Sequence, residues 1–515
     1  NRIEILNPAQ LPRQWLNYTS FDLVFITLAD LQALKTTQPQ AFAAFTQWVR
    51  CGGNLIVTDL GAASRSFQAD CAALTQLLEM PQEQAGDRWQ PRPPKSARAG
   101  LDQLHRLSNS GTPYNETYVT ADGTLREGQI PTGSSPPPTL NMRNWQFGLL
   151  VAVDGSPFPG DSSQWKDMFA RIGGDRWMRF ERNGMSQLRE NDSYWNFMIP
   201  GVGQSPVTLF LVLISLFVVL IGPVNYVLLR MAGRLNWIIV TVPAGASLVT
   251  LTMIGFALFS DGFGVKLRTR TVTIIDQRSG VASVWSRQSY YAGLAPSAGL
   301  TFPRDAATFE ILPSPLDNDR KRLLVLSDEA QHLKQGYFLS RVTQQMLVMR
   351  PLQTDLKLAI TPQGDSLQVE NQLGVDVRMV AITGPEGKKV YLARHLRAGE
   401  SRTLNPSAPV EVGEIRTLLS EYDLQLPPGF NQSAYLAGNR YRYNNRFRYH
   451  QLPEAGINVT HASSRLEREI TESLQSGFPG APYTYEALVE RSSLTPVGVP
   501  QYRSEASVEL IRGRW

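Results

Sequence analysis

Cysteine is scarce in this chain of 515 residues, which contains only Cys51 and Cys71. Two cysteines exclude a disulfide-rich scaffold and a zinc site built from clustered thiolates. Two interpretations remain open. The thiols pair if this part of the chain faces an oxidising periplasm, or they stay free and buried, as many cysteines do.

Charge is also scarce. Charged residues make up 18% of the chain, and 50 basic against 45 acidic residues leave a formal net charge of +5. That imbalance is too small to imply nucleic-acid binding. Hydrophobic residues account for 42%, which excludes both a disordered chain and a polytopic transporter. The length predicts roughly two to four domains.

Sequence motifs of catalysis are missing. The chain has no Walker A loop, no H-E-x-x-H, no G-x-S-x-G, no kinase motif set and no paired C-x-x-C. Aspartate and glutamate are too numerous for any pair to be singled out. The sequence therefore assigns no catalytic residue, no metal site, no cofactor and no small-molecule substrate.

Two long uncharged runs are present, at 207–229 and 235–260. At about 1.5 Å of rise per residue, each is long enough to cross a hydrocarbon core of about 30 Å as a helix. Two buried helices of a soluble domain are the alternative. Because only residues 230–234 separate the runs, we predict a tight antiparallel hairpin in a lipid bilayer, with both flanking domains on one side.

The charges beside these runs predict the orientation of the hairpin. Arg230 and Arg234, with no acidic residue between them, favour a cytoplasmic loop. Lys266, Arg268 and Arg270 oppose this, but they begin a long translocated domain in which charge counts for little. We therefore expect a bacterial inner-membrane protein with its large domains on the extracytoplasmic side.

Inside the runs, a few residues depart from the aliphatic pattern. Gly222 and Pro223 interrupt the first run and Pro243 interrupts the second, so local kinks are predicted. Asn225 is expected to bond across the hairpin or to another subunit, or to lie at interfacial depth beside Tyr226. Neither run contains an acidic residue, which argues against an ion or proton pathway and favours an anchor.

The region before the hairpin, 1–190, has the pattern of an α/β domain. An apolar run from Leu23 to Leu28, a helical pattern at 41–50 ending at Gly52-Gly53, and the run NLIVTDL predict a strand–helix–strand unit with parallel strands. A further buried strand is predicted at 147–155 and a helix at 161–173. The segment 82–138 is rich in proline, glycine and serine and predicts a long excursion.

The region after the hairpin, 265–515, has the alternating pattern of β-strands. Its first part predicts a β-hairpin turning at Arg278-Ser279-Gly280. Strand patterns at intervals of about ten residues predict an immunoglobulin-like antiparallel sandwich over about 355–410. A short amphipathic helix at 464–477 and a final strand complete the prediction.

A basic and aromatic segment, NRYRYNNRFRYH, lies at 439–450. Its arginines are Arg440, Arg442, Arg446 and Arg448. One interpretation is a surface for anionic lipid headgroups, glycans or single-stranded nucleic acid. The other, which we favour, is a hairpin turning at Asn444-Asn445 with its arginines in water. An extracytoplasmic location leaves no role for nucleic acid.

Three stretches together carry a family resemblance: YTSFDLVFITLADLQAL…AFAAFTQWVRCGGNLIVTDLG, FGLLVAVDGSPFPGDSSQW, and IGPVNYVLLRMAGRLNW. They resemble bacterial membrane proteins that carry a class I glutamine amidotransferase-like domain, over much of 15–60 and 140–240. The resemblance implies a flavodoxin-like sheet held outside the membrane by a helical hairpin, usually without catalytic activity.

The residues depart from a working amidotransferase. That chemistry needs a cysteine in a tight strand-to-helix turn, typically G-x-C-x-G, with a histidine as base. Cys51 instead follows a helix, whose C-terminal dipole raises a thiol pKa. Cys71 opens a predicted helix without flanking glycines, and His105 lies in the irregular excursion.

Three functional hypotheses follow. The first is a membrane-anchored scaffold or adaptor that binds partner proteins of an envelope complex. The second is a hydrolase or amidotransferase-like enzyme that uses the crevice at the carboxyl edge of the α/β sheet. The third is an accessory subunit of a transporter, whose helix contacts would use Asn225, Ala244, Gly245, Gly255 and Ala257. The chain begins at Asn1 rather than at Met, which indicates a portion of a longer product and leaves open whether a signal peptide or an N-terminal anchor precedes it.

Overall fold

The computed structural model describes residues 5–61, 66–80, 88–92, 116–119, 125–128, 138–158, 162–178, 182–185, 191–200, 202, 207–261, 264–313, 321–407, 464–475 and 481–515. They form a mixed α/β region, two consecutive apolar helical segments and a mostly-β region with several sheets. At this level the predicted fold class is confirmed. The segment with Arg440, Arg442, Arg446 and Arg448, and also His105, lie outside the described residues.

The helices are α1 (Leu28–Thr37), α2 (Pro39–Arg50), α3 (Phe67–Leu77), α4 (Ser162–Ile172), α5 (Gly174–Trp177), α6 (Val207–Val219), α7 (Asn225–Met231), α8 (Ile238–Asp261) and α9 (Arg465–Gln475). A π-helical turn, Leu220–Val224, joins α6 to α7. Short 3-10 helices are Pro8–Gln10, Trp15–Tyr18, Asp192–Phe197 and Leu235–Trp237.

The strands of the α/β region are β1 (Val24–Thr27), β2 (Asn54–Leu60), β3 (Gln90–Pro91), β4 (Glu116–Val119), β5 (Leu125–Gly128), β6 (Leu140–Trp145) and β7 (Gly148–Asp154). Those of the β region are β8 (Val265–Asp276), β9 (Val281–Ala292), β10 (Leu300–Pro303), β11 (Ala307–Ile311), β12 (Leu324–Leu326), β13 (Ala330–Leu333), β14 (Gln344–Gln353), β15 (Lys357–Gln363), β16 (Ser366–Gln372), β17 (Val377–Thr383), β18 (Val390–Leu396), β19 (Ser401–Leu404), β20 (Thr484–Val489), β21 (Arg503–Ser504) and β22 (Val508–Arg514).

The α/β region is built on a five-stranded sheet of order β1-β2-β7-β6-β3. β1, β2 and β7 are parallel, as predicted, and β2 is almost wholly buried. The connection from β1 to β2 holds two helices, because Pro39 cannot continue α1. β6 and β3 run antiparallel to their neighbours, so the sheet is mixed. The reason is the tight turn at Gln146, with φ 53°, which allows β6 and β7 to pair only as a hairpin.

The β region is built on a nine-stranded sheet, whose main path is β11-β14-β9-β8-β22-β20-β17-β18. The predicted β8–β9 hairpin is present and turns at Gly280, with φ 63°. The last strand, β22, pairs with β8 in parallel and so lies in the middle of the sheet. A second sheet, β15-β16-β19, faces the β17–β18 end across a core that includes Leu358, Val369 and Ile382.

Candidate functional site

The two apolar helical segments are long and apolar enough to cross a membrane. The windows that meet this test are Ile214–Met231 and Leu235–Thr252, and no residue of either window is buried inside the protein. Between them, Arg230 and Arg234 are exposed at a turn that Gly233 closes with φ 67°. A soluble core helix would bury most of such an apolar surface, so the exposure favours the bilayer over that alternative.

The helices of the hairpin touch through two matched pairs of residues. Asn225 Nδ2 donates a hydrogen bond of 2.9 Å to Thr241 Oγ1 across the hairpin. One turn away, a Cβ added to Gly245 would lie 1.9 Å from Ile221 Cδ1, so the backbone of α8 approaches that side chain closely. Among the residues that the structure describes, nothing lies within 4 Å of a Cβ added to Gly255.

The kinks predicted from proline have a structural counterpart in the first segment. Gly222 and Pro223 lie in the π-helical turn Leu220–Val224, where the proline ring and its missing N–H interrupt the regular α-helical ladder. Pro243 lies inside α8, which continues through it to Asp261.

We expect the Asn225–Thr241 bond to stabilise the hairpin modestly. Asn225→Leu and Thr241→Val should each lower the free energy of unfolding of the hairpin in micelles by about 0.6–2 kcal/mol. The double variant should cost little more than either single one, because both remove the same bond. Steric trapping of the full chain measures all three. Strictly additive losses would show that the two side chains do not interact.

Outside the hairpin, the side chain of Trp285 in β9 connects the α/β region to the large sheet. The side chain is 1% exposed. Its Nε1 donates a 3.0 Å hydrogen bond to the Cys51 carbonyl oxygen at the end of α2, and its ring stacks on Phe147 with centroids 5.4 Å apart. A Cβ on Gly52, which has φ 109°, would lie 2.6 Å from Trp285 Cζ2. Only glycine fits there, for its conformation and for its size.

This joint belongs to one continuous hydrophobic core. Trp48 and Val49 of α2, Val272 and Leu347 of the large sheet, and Ile470 of α9 are all buried in the same cluster. A cavity at the joint, lined in part by Trp48, Gly52 and Trp285, has a volume of about 20 Å³, roughly room for one water. The regions on either side of the hairpin are therefore one folded body, which we call the head. The hairpin leaves the head and returns to it.

A cluster of buried arginines holds the segment that leads into the hairpin. Arg268 donates a 2.8 Å hydrogen bond to the Met198 carbonyl oxygen, and its guanidinium lies 4.8 Å from the centre of the Phe197 ring. Arg287 lies 4.9 Å from the same ring. Burial lowers the pKa of Arg287 to about 9 and that of Arg268 to about 10. Both stay protonated at neutral pH.

Arg270, the third member of the cluster, pairs with the helix α9. Its Nε and Nη2 lie 2.5 and 2.9 Å from the two carboxylate oxygens of Glu467, in a bidentate pair buried on both sides. In the sequence, Arg268 and Arg270 resembled charges beside a membrane helix. In the structure they are 7% and 3% exposed and organise the interior of the head.

Both cysteines are buried free thiols, so the alternative of a disulfide between them is wrong. Cys51 follows α2, and burial raises the pKa of its thiol. Cys71 lies in α3, where Asn141 Nδ2 approaches its sulfur at 3.9 Å. Neither occupies the exposed strand-to-helix turn that a nucleophilic cysteine needs.

We expect neither thiol to react in the folded protein. A maleimide added to the full chain in detergent at mildly alkaline pH should label Cys51 and Cys71 only after denaturation, because both thiols are buried and burial also raises the pKa of Cys51. Mass spectrometry of the intact chain counts the adducts. Rapid labelling of the folded protein would contradict the buried positions.

The carboxyl edge of the α/β sheet carries carboxylates and hydroxyls held by backbone. Asp59 has a left-handed φ of 61°, and the Asp70 carboxylate accepts a 2.9 Å hydrogen bond from Gly61 N. Thr27 Oγ1 accepts one from Asp30 N and so caps α1. Among the described residues, no group of three or more His, Cys, Asp or Glu could hold a metal ion. At this edge, the side chains of Thr27 and Asp70 therefore accept hydrogen bonds from backbone N–H groups.

No protein-family model and no curated protein matches the chain. Among solved structures, the chain is similar to a yeast delta-COP-I mu-homology domain complexed with a Dsl1 WxWxV peptide. The identity is 9%, and the match covers 28% of this chain and 76% of that one, with a TM-score of 0.16. At this score the likeness assigns neither a fold nor a function.

Proposed function

We propose that this protein is a membrane-anchored scaffold of a bacterial envelope complex. The hairpin crosses the inner membrane, and the head lies on the extracytoplasmic side, where it binds partner proteins. The α/β region is then a flavodoxin-like, amidotransferase-like domain without a catalytic cysteine, and the sandwich is an immunoglobulin-like module.

The shared core between the two regions carries this proposal. Because Trp285 and Gly52 lock the α/β region onto the large sheet, the head is one body that presents surfaces from both regions in a fixed relation. A rigid, multi-surfaced body on an anchor suits the assembly of partners. The exposed Arg230 and Arg234 at the far turn favour a cytoplasmic position for that turn.

Cysteine labelling in a bacterial inner membrane tests the topology. Met231, 81% exposed at the hairpin turn, and Ser279, exposed at the β8–β9 turn, are replaced by cysteine in separate full-length variants. An impermeant maleimide on spheroplasts should label Ser279→Cys alone, and lysis should expose Met231→Cys. The reverse order would overturn the orientation, and recovery of the chain without detergent would overturn the anchor.

Co-purification tests the scaffold role. The full chain, solubilised in mild detergent from its native membrane, should elute with other proteins in fixed stoichiometry, and that stoichiometry should survive Cys71→Ala. Elution of the chain alone, under conditions that preserve its folded head, would overturn the role as a scaffold.

A further inference from the structure

Both ends of the helical hairpin meet the head at the same end of strands β8 and β9 of the large sheet. Ile199 and Val202, just before the first membrane segment, pack against Tyr291 near the end of β9. β8 begins soon after α8 ends, and its first residue, Val265, pairs with Ala292. The end of β9 and the loop that follows it are therefore held beside the two points where the chain meets the membrane.

A second loop joins the first at this end of the sheet. Arg341 N donates a 2.7 Å hydrogen bond to the Ala292 carbonyl oxygen, and Ala295 N donates a 2.8 Å bond to Ser340 Oγ. The segment that leads into β12 also lies here. Lys334 N, beside Gly299, donates a hydrogen bond to the carbonyl oxygen of Leu323, which immediately precedes β12. We call this surface the rim. It consists of residues 293–299, 321–326 and 334–342.

The rim has an unusual composition. In the described part of the β region, every exposed large apolar side chain lies on it: Leu294, Leu323, Leu324, Leu326 and Val342. Leu294 is 64% exposed. Lys321, Lys334 and Arg341 are exposed among these side chains. The opposite end of strands β8 and β9 is the polar turn Arg278-Ser279-Gly280. The exposed apolar surface therefore lies at the end of the head from which the helical hairpin leaves.

We propose that the rim rests on the surface of the bilayer, with Leu294 and Val342 inserted among the headgroups and with the basic residues against anionic phosphates. This inference rests on the proposed insertion of the hairpin. Apolar tips surrounded by lysine and arginine are the composition of interfacial membrane contacts. The rim is continuous with the hairpin at both of its ends, which makes the bilayer the nearest surface available to it.

Contact between the rim and the membrane would restrict the orientation of the head. A hairpin alone would not fix the tilt of the head relative to the bilayer. A rim that touches the membrane fixes the tilt, and the surfaces of the head that bind partners are then held at a defined height and orientation.

Depth-dependent quenching tests the contact. Four full-length variants, Leu294→Cys, Val342→Cys, Ser279→Cys and Leu216→Cys, carry an environment-sensitive fluorophore in nanodiscs of phosphatidylcholine and phosphatidylglycerol. The native thiols are buried and stay unlabelled. Ser279 is the matched control, because the length of β8 and β9 places it roughly 40 Å from the rim. Leu216, 55% exposed in α6, reports insertion of the hairpin.

The two rim labels should be quenched several-fold more strongly by headgroup nitroxides than the Ser279→Cys label, and the difference should shrink when phosphatidylglycerol is left out. If Leu216→Cys is quenched by acyl-chain nitroxides while the rim labels behave like Ser279→Cys, the rim proposal fails and the anchor stands. If Leu216→Cys is not quenched, the anchor itself fails. Rim labels shielded from water but not quenched by lipid would indicate a protein cover and overturn the proposal.

Discussion

Replacing Trp285 by alanine is expected to lower the free energy of unfolding of the head by about 3–5 kcal/mol. The ring is almost fully buried, stacks on Phe147 and lies against the backbone of Gly52. Its loss opens a cavity between the α/β region and the large sheet, and the Cys51 carbonyl oxygen loses a buried donor. Chemical unfolding of the full chain in micelles, followed by circular dichroism, measures the loss.

A conservative variant separates the ring from its hydrogen bond. Trp285→Phe keeps most of the stacked surface and loses the indole donor, so it should cost clearly less than Trp285→Ala. Trp285→Ala should also shift the unfolding transitions of the α/β region and the β region together to lower denaturant concentration, because the two regions share the core. Two separate transitions, with the β region unfolding as in the unchanged protein, would contradict a common core.

Local elements were largely predictable from the sequence, because their determinants are close together along the chain. The helix ending at Gly52-Gly53, the β8–β9 turn at Gly280 and the two apolar helical segments each follow from a few adjacent residues. A tight turn or an uncharged run dictates its own geometry, whatever the rest of the protein does.

The arrangement of those elements was not predictable in the same way. β22 pairs with β8, although the two strands lie at opposite ends of the β region in sequence. Val508, for example, pairs with Arg270. Alternation along a strand indicates which side chains share a face, but it does not name the neighbouring strand. The same limit applies to Trp285, whose partner at Gly52 is distant in sequence. The sequence predicts Gly52 as the end of a helix. Its close contact with the Trp285 ring depends on the tertiary fold and has no local sequence pattern.

The buried charges show the limit most clearly. Arg268 and Arg270 follow an apolar run, and in a sequence that position suggests a membrane boundary. Their burial depends on Phe197 before the hairpin and on Glu467 in α9, which no local pattern connects to them.

Glu467 is expected to be a charged position at which substitution strongly destabilises the head. Glu467→Gln removes the negative charge that faces Arg270 and lies close enough to Arg287 to affect its pKa, while the side chain keeps nearly its size. Removing one partner of a buried ion pair typically costs about 3–5 kcal/mol, because the remaining charge stays out of water. Unfolding of the full chain in micelles measures the cost, and limited proteolysis should show that α9 is released first.

Two comparisons decide whether the buried charge, rather than the loss of any ion pair, explains that result. Asp365→Asn breaks an ion pair with Lys389 at the exposed surface, and we expect no measurable change, because water screens both groups. Combining Arg270→Met with Glu467→Leu replaces the buried pair by apolar side chains and should recover much of the lost stability. If Glu467→Gln proves as mild as Asp365→Asn, α9 is not held to the sheet by this pair. Burial of Leu466 and Ile470, together with the ion pair between Glu469 of α9 and Arg512 of β22, would then dock the helix.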